Sequence, residues 1–165
     1  MDDRDDGRFA RAPEPEDVVR ICRALNEAGA RYLLIGGFAV VAHGGGRFTK
    51  DIDLLVDDSP ENILRVKRGL SVLADNAVAL VDEDDIRKYA VVRVADEVVV
   101  DIMGRACGIG YEEAAQGAEL FERGGVCIPV AGPAMLIRMK ETARPQDALD
   151  RAYLEHLLRT RTSGE

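Results

Sequence analysis

Cysteine is scarce in this 165-residue chain, and the three present, Cys22, Cys107 and Cys127, are far apart and free of Cys-x-x-Cys spacing. Neither a disulfide framework nor a structural zinc site is expected, and a reducing compartment fits best. Basic residues are also in deficit, 22 Lys and Arg against 30 Asp and Glu. The net charge of −8 has the wrong sign for non-specific coating of nucleic acid or of a membrane surface. No apolar run approaches the roughly 18 residues of a spanning helix, and the opening Met-Asp-Asp-Arg-Asp-Asp is not a basic region followed by an apolar stretch. These absences lead us to expect a cytoplasmic protein with no membrane contact. Repeats and low-complexity segments are lacking too, and the 47% apolar content suits a domain with a single core.

What is present is a succession of short periodic segments. Residues 1–13 mix Asp, Arg and Gly with almost nothing apolar and read as a flexible tail, leaving one domain over 14–165 whose C-terminal helical part begins near 132. Val18, Ile21, Cys22, Leu25 and Ala28 recur at spacings of three and four before Gly29, which predicts a first helix. Tyr32 to Ile35, closed by Gly36-Gly37, predicts a central strand. Phe38 to His43 reads as a helical turn, Asp51 to Val56 as the second strand and Pro60 to Leu73 as a helix behind it. The stretch Asp75 to Lys88 carries no sustained period. Ala90 to Val94 and Val98 to Met103, joined through Asp96-Glu97, predict an antiparallel hairpin. A short helix near Tyr111 to Gln116 and strands near Leu120 and Cys127 to Val130 follow. Two helices close the chain, Pro133 to Arg144 with Met135, Leu136 and Met139 inward, and Pro145 to Leu158 with Leu149, Tyr153 and Leu157 inward. This order predicts an α+β fold, a mixed sheet flanked by helices.

The chemistry concentrates between Gly36 and Val56. Side chains alternate along a strand, so Asp51 and Asp53 point one way with Cα atoms roughly 6.5 Å apart, while Ile52 and Leu54 point the other. Two carboxylates that close are tolerated only if protonated, hydrogen-bonded or bound to a cation. Mg²⁺, a hard ion held by one or two carboxylates together with substrate phosphates, would relieve the repulsion. Gly36-Gly37 would admit a phosphate to the backbone N–H groups at the start of the next helix.

The pattern Gly36-Gly37-x-Ala39…His43-Gly44…Arg47-x-Thr49-x-Asp51-Ile52-Asp53 resembles that of the nucleotidyltransferase superfamily with the DNA polymerase β-like fold, and is most similar to bacterial AbiEii-like and uncharacterised nucleotidyltransferase domains. It covers residues 30–105 well and 133–158 more loosely. The resemblance implies a third carboxylate on a later strand, matched by Asp101, so that Asp51, Asp53 and Asp101 form a catalytic metal triad for Mg²⁺ or Mn²⁺. It implies two-metal transfer of a nucleoside monophosphate from an NTP to an acceptor, with release of pyrophosphate. Asp101 would share the second metal and activate the attacking hydroxyl. Gly36 and Gly37 would meet phosphate oxygens, and Arg47, Thr49, Lys50 and Lys140 complete the implied nucleotide-binding set. Lys140, Ala143, Arg144 and Asp147 match the family's C-terminal Lys-x-x-x-Ala-x-Arg…Asp pattern, whereas Gly37 stands where many members have Ser. The acceptor, a protein, an RNA or a small molecule, is not written in the motif.

Plainer roles compete with these. His43 reads better as a helix-end cap or core-edge residue than as a catalyst, and Thr49 as a loop hydrogen-bonder. Lys140, Arg144, Asp147 and Arg151 lie three or four apart and fit solvated helix pairs equally well. Asp82 to Asp85 fit a solvated loop. A P-loop is excluded because no Lys followed by Ser or Thr closes Gly36 to Gly46, and an EF-hand because Leu55 stands where an oxygen ligand is needed. Two non-enzymatic alternatives keep the same fold: a module that binds a cognate toxin or antitoxin protein, and a nucleotide sensor that binds NTP and Mg²⁺ without turnover.

Overall fold

A computed structural model describes residues 10–163, so the first nine residues of the expected tail lie outside the described chain. Ordered contacts begin earlier than the composition implied. The Arg11 guanidinium forks onto Asp17 at 2.7 and 2.8 Å, and its backbone N–H donates to Glu97 O at 3.1 Å. Asp17 also accepts from the Glu14 N–H at 2.7 Å and so closes the start of the first helix, α1 (Pro15–Glu27). Holding Arg11 is a second use of the same carboxylate.

The helix buries Val18, Ile21, Cys22 and Leu25 on one stripe. Strand β1 (Tyr32–Ile35) is buried throughout, and α2 (Gly36–Ala42) follows without a break, starting two residues before the expected turn. Strand β2 (Asp51–Val56) and helix α3 (Pro60–Leu70) come next, the helix capped by Ser59, whose Oγ accepts from the Asn62 N–H at 3.3 Å. The segment without a period forms a 3₁₀ turn over Ala77–Leu80 and the single-turn α4 (Asp85–Lys88). The expected hairpin is present as β3 (Val92–Ala95) and β4 (Val99–Met103). A two-residue hairpin, β5 (Arg105–Ala106) and β6 (Ile109–Gly110), was not legible in the sequence. The short α5 (Tyr111–Ala115), strands β7 (Glu119–Arg123) and β8 (Val126–Val130), and helices α6 (Pro133–Met139) and α7 (Pro145–Thr162) complete the chain.

The six-stranded sheet runs β3-β4-β2-β1-β8-β7. β2 pairs with β4 in parallel and with β1 antiparallel, so the sheet is mixed as expected. Helix α1 packs on α3 so tightly that a Cβ at Gly69 would lie 2.7 Å from Leu25 Cδ2 and 2.9 Å from its Cα.

Helix α7 departs from expectation. Its inward side chains are Asp147, Asp150 and Leu154, while Leu149 is 66% exposed. Of the expected Leu149, Tyr153, Leu157 face, Leu149 is turned to solvent and Leu157 is half-buried, while Tyr153 packs partly buried against the core; the most buried positions instead present carboxylates to Lys140 and Arg47. No helix among the described residues is long and apolar enough to cross a membrane.

Gly69→Ala is expected to lower the free energy of unfolding by about 2 kcal/mol, since the new methyl meets backbone that cannot yield. Gly46→Ala, with open space around it, is expected to change it by less than about 0.5 kcal/mol. Urea denaturation of the two variants checks both.

Candidate active site

Register brings the acidic residues together. Asp53 on β2 sits directly beside Asp101 on β4, and Asp51 lies one pleat away on the same face. Carboxylate oxygens of Asp51, Asp53 and Asp101 all lie within 4.8 Å of one another. Behind them Ile52 and Leu54 are fully buried, which fixes the orientation of the strand. The expected triad is thus one cluster.

Antiparallel pairing places Ile35 opposite Asp53, so α2 starts against the same carboxylate. Gly36 has φ +71°, and a Cβ there would fall 2.0 Å from Asp53 Oδ2. Only glycine satisfies both conditions. At Gly37 a Cβ would press within 2.7 Å of Thr49 Oγ1 and 3.2 Å of Arg47 Cζ, which accounts for glycine at this position. Thr49 itself is buried and donates to Asp51 O at 3.1 Å, the loop-holding role anticipated for it.

Crowding shifts the acids. Burial, and then the charges of Asp51 and Asp101, push the Asp53 carboxyl up to about 7, with Lys140 and Arg93 acting against them. Asp51 moves the same way through burial and Asp101, offset by Arg93. Arg93 was not singled out in the sequence. Standing opposite Asp101 across the β3–β4 ladder, it donates from Nε and Nη2 to the two Asp101 oxygens at 2.9 Å each, and from Nη2 to Asp51 Oδ2 at 3.2 Å. The signal that could have found it is its place in the predicted hairpin, where a cation faces Asp101 across the turn.

A cleft of about 690 Å³ opens in front of the triad. Gly36, Gly37, Arg47, Lys140 and Arg144 line it with the triad, and Met103, Ala106, Leu136 and Met139 provide its apolar wall. Lys140, at the end of α6, is almost fully buried and pairs with Asp150 at 3.0 Å and Asp147 at 3.7 Å. Arg47 joins the same Asp150 carboxylate at 2.6 Å. These are buried cross-links rather than the solvated helix pairs considered above. Lys50 is not in the cleft; it lines a neighbouring groove with Phe48 on the far side of Asp51. His43 does not line the cleft and ends α2; its side chain is buried and its Nε2–H donates to Ala131 O at 2.9 Å rather than to a carbonyl of the helix, which fits the core-edge role.

No protein-family model matches the sequence, and no curated protein matches it. Solved structures do. A provisionally named nucleotidyltransferase from Thermotoga maritima superposes with a TM-score of 0.51 at 16% identity, over 91% of this chain and 94% of that one. An antigenic nucleotidyltransferase-like protein from Paracoccidioides brasiliensis gives 0.54 at 16% identity, over 92% of this chain and 78% of that one. The fold is the nucleotidyltransferase fold. At this identity the likeness concerns the fold, and the chemistry of the cleft rests on its own residues.

The raised Asp53 carboxyl has a consequence for stability. Unfolded, it gives up its proton near 3.8; folded, it holds it to about 7. Between these values the folded state binds more protons, so stability falls as pH rises. In metal-free protein, Asp53→Asn is expected to raise the melting temperature by about 5 °C at pH 8 and by clearly less at pH 5. Thermal melts in chelator at the two pH values check this, and an equal gain at both would contradict it.

Proposed function

We propose that the protein is a divalent-metal-dependent nucleotidyltransferase that moves an NMP from an NTP to a hydroxyl-bearing acceptor. The observation that carries this reading is the set of three carboxylates within 4.8 Å of one another, beside a glycine start of α2 that no side chain can enter, in a nucleotidyltransferase fold. The donor set suits a hard ion: all ligands are carboxylate oxygens, and Asp53 makes no ion pair among the described residues. Asp51, Asp53 and Asp101 would hold Mg²⁺ or Mn²⁺. A divalent ion bound there supplies Lewis-acid polarisation of the α-phosphate and lowers the pKa of the attacking hydroxyl.

The chain's own residues do the rest. Gly36 and Gly37 line the cleft where a phosphate would meet the start of α2, and Arg47, Lys140 and Arg144 make the cleft attractive to a polyanion despite the overall charge of −8. The acceptor hydroxyl gives up its proton to solvent as its oxygen bonds to the α-phosphorus, the bond to the bridging oxygen of pyrophosphate breaks, and pyrophosphate leaves with the electron pair. Arg47 and Lys140 offset the charge it gains, once released from Asp150. The AbiEii-like affiliation, a toxin or antitoxin partner and a cytoplasmic setting belong to this proposal on the strength of the sequence pattern alone. Engagement of Asp101 and Asp51 by Arg93 favours a second reading, a sensor that binds NTP without turnover.

The test is transfer of label from each α-³²P-NTP, with Mg²⁺ or Mn²⁺, to total cell RNA and protein. Label is expected on one acceptor class with wild type, and at background with Asp51→Ala/Asp53→Ala. Metal-dependent NTP binding without label, lost in the double variant, is the result that the sensor reading requires.

A further inference from the structure

We infer that Arg93 is a built-in counter-ion of the carboxylate triad, whose guanidinium occupies the Asp51–Asp101 side of the site and is displaced when a divalent cation binds there. This rests on the reading that the triad holds metal. The geometry is specific. One nitrogen, Nη2, reaches Asp101 Oδ2 at 2.9 Å and Asp51 Oδ2 at 3.2 Å, bridging two carboxylates as a metal ion would, while Nε satisfies the remaining Asp101 oxygen at 2.9 Å. These N–H groups lie on lone pairs that a cation coordinated by the same oxygens needs. Among the described residues, Arg93 makes ion pairs with these two acids and no others.

The side chain is free to leave. It sits on β3, the edge strand of the sheet, and is 46% exposed. Beside it lies a groove of about 450 Å³, lined by Arg11, Phe48, Lys50, Asp51 and Val99, so the side chain is not enclosed on that side. A guanidinium stays charged at every working pH, so loss of a proton never clears the site; only a competing cation does. Arg93 also makes no ion pair with Asp53, so the compensation is one-sided and serves only the Asp51–Asp101 side of the triad.

The experiment is Mn²⁺ titration of the full chain by calorimetry, with free Mn²⁺ followed by electron paramagnetic resonance and melting temperature measured alongside. Arg93→Gln is expected to bind Mn²⁺ about tenfold more tightly than wild type, because no charge-assisted hydrogen bonds have to be broken. Its melting temperature is expected to rise more with added Mn²⁺ than that of wild type. Arg93→Lys, which keeps the charge but loses the fork, is expected to fall between. Should Arg93→Gln not fold without metal, Arg93→Lys decides: tighter binding than wild type supports the inference and equal binding overturns it. Equal affinities for wild type and Arg93→Gln, with binding lost in Asp53→Asn, overturn the inference while leaving the metal reading standing. Absence of Mn²⁺ binding from all variants overturns both.

Discussion

Mutual repulsion among Asp51, Asp53 and Asp101 is the constraint around which the rest of this protein is arranged. Acidic oxygens within 4.8 Å of one another on adjacent strands need positive charge nearby, protons of their own, or a bound cation. The metal-free protein uses the first two. Arg93 neutralises the Asp101 side, Lys140 acts from a distance, and Asp53 retains its proton to about pH 7. The sheet makes this tolerable by fixing the backbone through the buried Ile52 and Leu54, so that repulsion is absorbed by side chains.

The parts of the fold written in local periods were legible, and so were the residues whose spacing alone has meaning. Strand β2 begins and ends where alternation says it should, and Asp51 and Asp53 share a face for the reason the pleat gives. Asp101 required a resemblance to be singled out, because one carboxylate in a valine run has no spacing partner. The pairing of β4 with β2, which seats it beside Asp53, is a long-range fact with no local signature. Arg93 was hidden for a related reason. An arginine inside a predicted strand looks like a solvent-facing residue until the register shows what stands across from it.

Helix α7 shows where hydrophobic patterning misleads. Its leucines suggested a stripe through Leu149 and Leu157, yet the helix is oriented by Asp147 and Asp150, which reach Lys140 and Arg47. Thr142 donates to Asp147 at 2.5 Å and Gln146 to Asp150 at 2.9 Å, so these buried acids are hydrogen-bonded as well as paired. Removing any single member leaves an uncompensated charge inside, which is why such clusters are costly to break although they add little to net stability when whole. The arrangement also makes the cleft's cations dependent on α7.

A wall held in this way differs thermodynamically from the core it leans on. Exposure of apolar surface dominates both the heat-capacity increment and the denaturant slope of an unfolding event, and polar exposure lowers the first. Detachment of α7 would uncover Leu154 and Tyr153 together with Asp147, Asp150 and Lys140. The polar share of that surface lowers the heat-capacity change below that of an apolar contact of equal area. The helix that holds Lys140 and Arg47 is thus fastened to the domain by charge pairs as much as by apolar contact.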